Sequence, residues 1–141
     1  MGYLEAKVKE ILMKLEELTD IMDAKAHVFR NEVDLVEGLK KIRELNTSIW
    51  EHVGNQVKEY NTNFINVMEI DSMFRIAEAV LLGAINRHKS RGAHSMAEYP
   101  KRDDKNFLKH TLVYYRNSTD EPKIAWFPVT FTRYAPVERH Y

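Results

Sequence analysis

Cysteine is absent from this 141-residue chain, which removes disulfides, thiolate metal sites and a cysteine nucleophile from consideration. Glycine is sparse: Gly2, Gly38, Gly54, Gly83 and Gly92 are the five present. No two stand close enough to build a GxGxxG turn or a P-loop, so the chain carries no nucleotide fingerprint. Net charge is missing too, with 21 basic side chains against 21 acidic ones. The longest apolar run, Ala79–Ile85, is seven residues, far short of the about 20 a spanning helix needs. Direct membrane insertion is therefore not expected. Met1-Gly2-Tyr3-Leu4-Glu5 leads straight into a charged helical pattern, so no signal peptide is expected either.

What is present is ordinary for one soluble domain: 44% hydrophobic and 30% charged residues, in a chain long enough to bury a core. The neutral total hides an asymmetry. Residues 1–85 sum to −5, whereas residues 86–141 sum to +5. A basic half can signal nucleic acid, and Tyr114, Tyr115 and Trp126 supply rings able to stack on bases. No nucleic-acid motif accompanies them, and acidic residues are interspersed throughout. Docking onto an acidic protein surface is the better reading, and nucleic acid is not an expected partner.

Apolar periodicity divides the first two-thirds of the chain into three helices. Leu4, Val8, Ile11, Leu15, Leu18 and Met22 step by 4-3-4-3-4, which puts them on one helical face. Ala26 and Phe29 extend that stripe to about Arg30. Asn31 is placed to cap a second helix, with Asp34 favouring its positive end. Leu35, Leu39, Ile42, Ile49 and Val53 line that helix, widened by Val36 and Trp50, until Gly54-Asn55 ends it. Asn61-Thr62-Asn63 opens the third, spanning roughly 63–89. Val67, Ile70, Phe74, Ala77, Leu81 and Ala84 form one side of it. Met73, Ile76, Val80 and Leu82 carry the apolar character beyond that side. Two partner helices cannot cover such a surface, so something else must, and the chain on its own is expected to self-associate.

Arg87, His88 and Lys89 suit a helix C-terminus, with Gly92 as the stop. Ser90 to Asn106 reads as an ordered loop stiffened by Pro100. Leu108–Tyr115 and Ile124–Tyr134 are rich in β-formers and flank the polar turn Asn117–Pro122. They can pair as a hairpin, with Pro128 making the second an edge strand or breaking it. The expected fold is mainly α: an antiparallel, spectrin-repeat-like three-helix bundle over residues 1–89. A loop and a short C-terminal β-hairpin or extended segment follow over 90–141.

The residues support little chemistry. His27, His52, His88, His94, His110 and His140 form no HExxH or other ligand spacing, so no metal site is expected. Asp103-Asp104 resembles a paired-carboxylate motif. Adjacent side chains diverge, however, and Lys101, Arg102 and Lys105 flank the pair, which favours a helix start or salt bridges. Met13, Met22, Met68 and Met73 read as core filler. No catalytic, cofactor-binding or metal-binding residue is assigned.

One stretch is distinctive: Ser90-Arg91-Gly92-Ala93-His94, followed by Tyr99-Pro100-Lys101-Arg102-Asp103-Asp104-Lys105-Asn106-Phe107-Leu108-Lys109-His110-Thr111-Leu112. It resembles the signature of the C-terminal helical domain in the flavoprotein subunits of succinate dehydrogenase and fumarate reductase. There an SRGAH-like turn precedes YPxRDDxNWLKHTL, and Phe107 stands where Trp is usual. Phe29-Arg30-Asn31 also fits, with His27 in place of a common glycine. Pro128-Val129-Thr130, Thr132-Arg133 and Pro136–Tyr141 are similar to the family's own ending. The resemblance implies a parent subunit with FAD-binding and capping domains that interconverts succinate and fumarate and passes electrons to an iron–sulfur subunit. It implies a cytoplasmic protein, peripheral at the inner face of the membrane through partner subunits. It places no catalytic, flavin or metal residue here, and FAD belongs to the parent. It implies that Arg91, Gly92, His94, Tyr99, Arg102, Asp103 and Asp104 lie where the helical domain meets the flavin domain. L-aspartate oxidase shares a similar helical tail, but the LKHTL strand and the PxERHY-like end favour the succinate/fumarate branch. A free-standing helical adaptor is the reading from another class, separated by whether a GxGxxG lies upstream in the reading frame.

Overall fold

The 4-3 stripe of the N-terminal segment folds as α1 (Gly2–Lys25) in a computed structural model that describes residues 2–47, 49, 62–117 and 121–137. Its Ile11 and Leu18 are buried, with Leu15 and Met22 packed beside them. The helix stops at Lys25 and does not run on to Arg30. Phe29–Arg30 instead forms a two-residue strand, β1, and Phe29 is 80% exposed. Two local demands end the helix. The Arg30 guanidinium folds back to donate to the Ala26 and His27 carbonyls, satisfying acceptors that a last turn leaves open. Asn31 must also be extended (φ −134°, ψ 157°) to cap the next helix, and its side chain accepts from the Asp34 amide at 2.8 Å.

That cap opens α2 (Glu32–Asn46), which buries Leu35, Leu39 and Ile42. The apolar segment after it becomes α3 (Thr62–Ile85), burying Val67, Ile70, Phe74, Ala77, Leu81 and Ala84. Here too the helix is shorter than the expected 63–89. The Asn86 side chain donates to the Leu82 carbonyl, and the Arg87 amide turns to Ala84, a tightening common in a final turn. Trp50, Val53, Gly54-Asn55, Asn61 and the 118–120 part of the polar turn lie outside the described residues. So do His52, His140 and the 138–141 end, and the side chains of residues 1–8.

Gly38 lets the first two helices approach. A Cβ there would stand 2.9 Å from Lys25 Cβ, where Lys25 Nζ reaches Asp34 at 2.6 Å and Glu37 at 2.8 Å. Overpacking costs about 1–3 kcal/mol, which exceeds the roughly 1 kcal/mol that alanine gains over glycine in a helix. Gly38→Ala is therefore expected to lower the urea midpoint. Gly83→Ala, whose Cβ would meet only the Thr111 methyl at 3.8 Å, is expected to raise or hold it. A stabilising Gly38→Ala would contradict the packing described.

Two small sheets complete the chain. β1 pairs in parallel with β2 (Ser95–Met96), which drives Met96 into the helical core at 1% exposure. A four-residue helix, α4 (Asp104–Phe107), precedes β3 (Lys109–Tyr114), which pairs antiparallel with β4 (Lys123–Pro128). The hairpin forms as expected, but its second strand ends at Pro128, opposite Lys109, well before Tyr134. Proline cannot donate to a ladder, so a strand end is where it fits. The hairpin lies against α3: the Tyr115 hydroxyl sits 2.9 Å from the Arg75 carbonyl and 3.1 Å from Glu78 Oε2. Burial, then the Glu78 carboxylate, pushes that phenol up to about 12.

Among the described residues, coverage of α3 stops there. Ile65, Met68, Met73, Ile76 and Val80 remain exposed, Ile76 at 64%. Among the described residues, no helix is long and apolar enough to cross a membrane.

Candidate interdomain interface

After α3 the chain reverses through Arg91-Gly92-Ala93-His94. The Arg91 amide donates to the His94 carbonyl at 2.8 Å, and the His94 amide returns the bond at 3.2 Å. Gly92 sits at φ +59°, the left-handed region that glycine enters without a Cβ penalty. This tight turn aims the His94 ring inward.

Two contacts fix the state of that ring. Arg30 Nη1 lies 2.9 Å from His94 Nδ1, and His94 Nε2 lies 3.0 Å from the Arg87 carbonyl. Guanidinium only donates and a carbonyl only accepts. His94 therefore accepts at Nδ1, carries its proton on Nε2 and is neutral. Burial first, and then the charges of Arg30, Arg87 and Lys89, hold its pKa below the usual 6.5, against the opposing effect of the Arg87 carbonyl.

The pH dependence follows. In the unfolded chain this histidine takes up a proton as the pH falls through about 6.5, whereas in the folded chain it resists. Its contribution is therefore complete above that value and is lost as the pH falls below it. Urea midpoints at about pH 7.5 and about pH 5.5 should differ more in the wild type than in His94→Gln. Equal differences would mean the ring does not titrate as described.

The other expected interface residues are tied to one another. Asp103 caps α4, accepting from the Asn106 amide at 3.0 Å and the Asn106 side chain at 2.8 Å. Asp104 accepts from Arg91 Nη1 at 2.9 Å and from Arg102 Nε at 2.6 Å. Arg102 also holds the Val137 carbonyl at 3.0 Å. Helix start and salt bridge are thus both realised in the Asp103-Asp104 pair. Tyr99 stacks on His88 at 4.7 Å and packs against the core. Arg91 finds its carboxylate within this chain, through one nitrogen.

Sequence reasoning missed the residues that hold this region to the helices. Ser90 accepts from the Met96 amide at 2.9 Å and donates to the Tyr99 carbonyl at 2.7 Å. Lys89 is only 3% exposed, and its Nζ donates to the Phe107 carbonyl at 3.0 Å. Arg87 spans the α3–hairpin gap: Nε donates to Thr111 Oγ1 at 2.8 Å, Nη1 to the Phe107 carbonyl at 3.4 Å, and Nη2 to the Lys109 carbonyl. Burial lowers the pKa of Arg30, Arg87 and Lys89 alike. The only sequence signal was a cation-rich helix end, which reads equally well as a solvated one.

Among the described residues no three His, Asp or Glu side chains converge as a metal site. Gly2, Gly38 and Gly83 lie in helices, and Gly92 forms the turn after α3.

Comparison with known proteins agrees with the fold. The profile described as "Fumarate reductase flavoprotein C-term" matches residues 15–141. The fumarate reductase flavoprotein subunit of Haemophilus influenzae is 28% identical, across 98% of this chain and 26% of its own length. The 8-methylmenaquinol:fumarate reductase flavoprotein subunit of Wolinella succinogenes is 33% identical, across 97% of this chain and 22% of its own length. An E. coli quinol fumarate reductase structure superposes with a TM-score of 0.74 at 24% identity, covering 95% of this chain and 26% of that one. The chain thus spans about a quarter of the length of these relatives. By its motif, its fold and these matches, this chain belongs to the C-terminal domain family of the succinate dehydrogenase and fumarate reductase flavoprotein subunits.

Proposed function

We propose that this chain is the docking part of an FAD-containing subunit that interconverts succinate and fumarate and passes electrons to an iron–sulfur subunit. The observation that carries the reading is the family match over residues 15–141, in a chain about a quarter as long as its relatives. FAD and the reacting dicarboxylate belong to the remainder of the subunit. The residues here build contacts: the 90–106 loop and Arg91, Gly92, His94, Tyr99, Arg102, Asp103 and Asp104 face the FAD-binding and capping domains. The exposed side of α3 is a surface made to be covered, and in isolation it drives self-association. The complete subunit sits at the inner face of the membrane through its partners.

Purified alone and mixed with FAD, the chain should stay colourless and should not oxidise succinate with an artificial acceptor. The complete reading frame should bind FAD and oxidise succinate. Stoichiometric flavin or turnover in the isolated chain would overturn the reading.

A further inference from the structure

Beside the His94 turn, α3 and β3 border an open cleft of about 240 Å³, lined by Val80, Gly83, Arg87, Thr111, Arg30 and His94 among others. Its charge is unbalanced. Arg91 and Arg102 share Asp104, but no Asp or Glu among the described residues lies within ion-pair distance of Arg30 or Arg87. Both are held by carbonyls, the Thr111 hydroxyl, the neutral His94 and the face of the Trp126 ring. The contacts engage Nη1 and Nη2 of each guanidinium once as donors, Nε of Arg87 once, and Nε of Arg30 as a shared donor to the Ala26 and His27 carbonyls. One N–H on each terminal nitrogen is left over. A positive, partly desolvated cleft with spare donors is matched by a carboxylate, because charge-assisted bonds to guanidinium are the strong ones.

A second feature meets the cleft. Ile65, Met68, Ser72, Ile76 and Val80 follow one another at three- and four-residue spacing along α3, which makes them one exposed line. Continued, that line reaches Gly83, which lines the cleft beside Arg87. An occupant of the cleft therefore lies along an apolar strip with its charged group at one end.

We propose that the cleft receives an Asp or Glu side chain carried on an apolar segment of the FAD-binding part of the same subunit. This rests on the proposed flavoprotein reading for the source of the carboxylate. The acidic side chain enters between Arg30 and Arg87 and offsets the unpaired positive charge, while its apolar neighbours cover Ile76 and Val80. The contact fixes how the helical domain sits on the flavin domain, and the neutral His94 holds the Arg30 guanidinium in position for it.

The test uses the 141-residue chain and a blocked Leu-Glu-Leu tripeptide at low salt, with Leu-Gln-Leu as control. Nitrogen-15 spectra report the guanidinium Nε–H groups of Arg30 and Arg87 and the titration of His94, the ring that faces Arg30, Arg87 and Lys89. The glutamate peptide should shift these signals, raise the His94 midpoint and bind about fivefold more tightly than the glutamine peptide, the size of a partly exposed charge pair. Val80→Glu places a carboxylate at the cleft mouth from an exposed position. It should raise the His94 midpoint without peptide and weaken peptide binding, whereas Val80→Gln should leave the midpoint unchanged. Equal binding of the two peptides, or no shift up to roughly 10 mM, would overturn the inference. So would free succinate binding about tenfold more tightly than the peptide, which would make this a small-molecule site. A null peptide result leaves the flavoprotein reading standing, and a complete reading frame without flavin overturns that reading separately.

Discussion

Replacing Phe74 with alanine is expected to remove about 3–5 kcal/mol of stability. Phe74 is 1% exposed and belongs to the cluster built by α1, α2, α3, Ile49 and Met96. Truncation forfeits the transfer free energy of the ring and leaves a void that three helices cannot close without moving. Set against a total of about 5–15 kcal/mol for a domain, the loss leaves a marginal fold. Urea unfolding followed by circular dichroism measures it. Phe74→Leu keeps most of the volume and should recover more than half of the loss. A change below about 1 kcal/mol would contradict the core described, because only surface positions tolerate such truncation.

Arg87→Ala should produce the second largest effect, and a different kind. The side chain is the main tie between the end of α3 and the start of the hairpin, through Thr111 and the Phe107 and Lys109 carbonyls. Its guanidinium also lies 5.6 Å from the centre of the Trp126 ring. Losing a charged donor from partly buried acceptors costs roughly 2–3 kcal/mol. The loss should fall locally. Amides of β3 should exchange faster, while those in α1 and α2 keep their protection. Arg87→Lys should not restore protection, because one ammonium cannot serve three acceptors held by a planar fork. Uniform loss of protection across the bundle would show that Arg87 supports the core, not the hairpin.

These two residues illustrate what the sequence made legible. Phe74 was readable because the core repeats at helical spacing, and period is the one long-range signal a single sequence carries plainly. Asn31 and Asp103 were readable because capping is local chemistry within three residues. Phe29 was not, since its apolar character continues the α1 stripe while the following cap pulls the backbone extended. The clasp of Arg30 on His94 joins residues 64 apart, and nothing in composition predicts such a pair. Lys89 reads as a cation suited to a helix C-terminus, and lysine rarely lies buried. Only the Phe107 carbonyl, 18 residues on, explains why it does here. Met96 reaches the core because β1 and β2 pair in parallel across the two connections, an arrangement set by tertiary structure alone.

Flavin retention is the most direct test of the central claim that this chain is the docking domain of a flavoprotein subunit. Two forms of the parent subunit are compared, one complete and one lacking the 141-residue segment that this chain represents, and thermal FAD release is followed by fluorescence. The truncated form should release FAD at a lower temperature, and the isolated 141-residue chain added in trans should shift the release back upward. Identical release from both forms, with no association between the truncated subunit and the chain, would contradict the account.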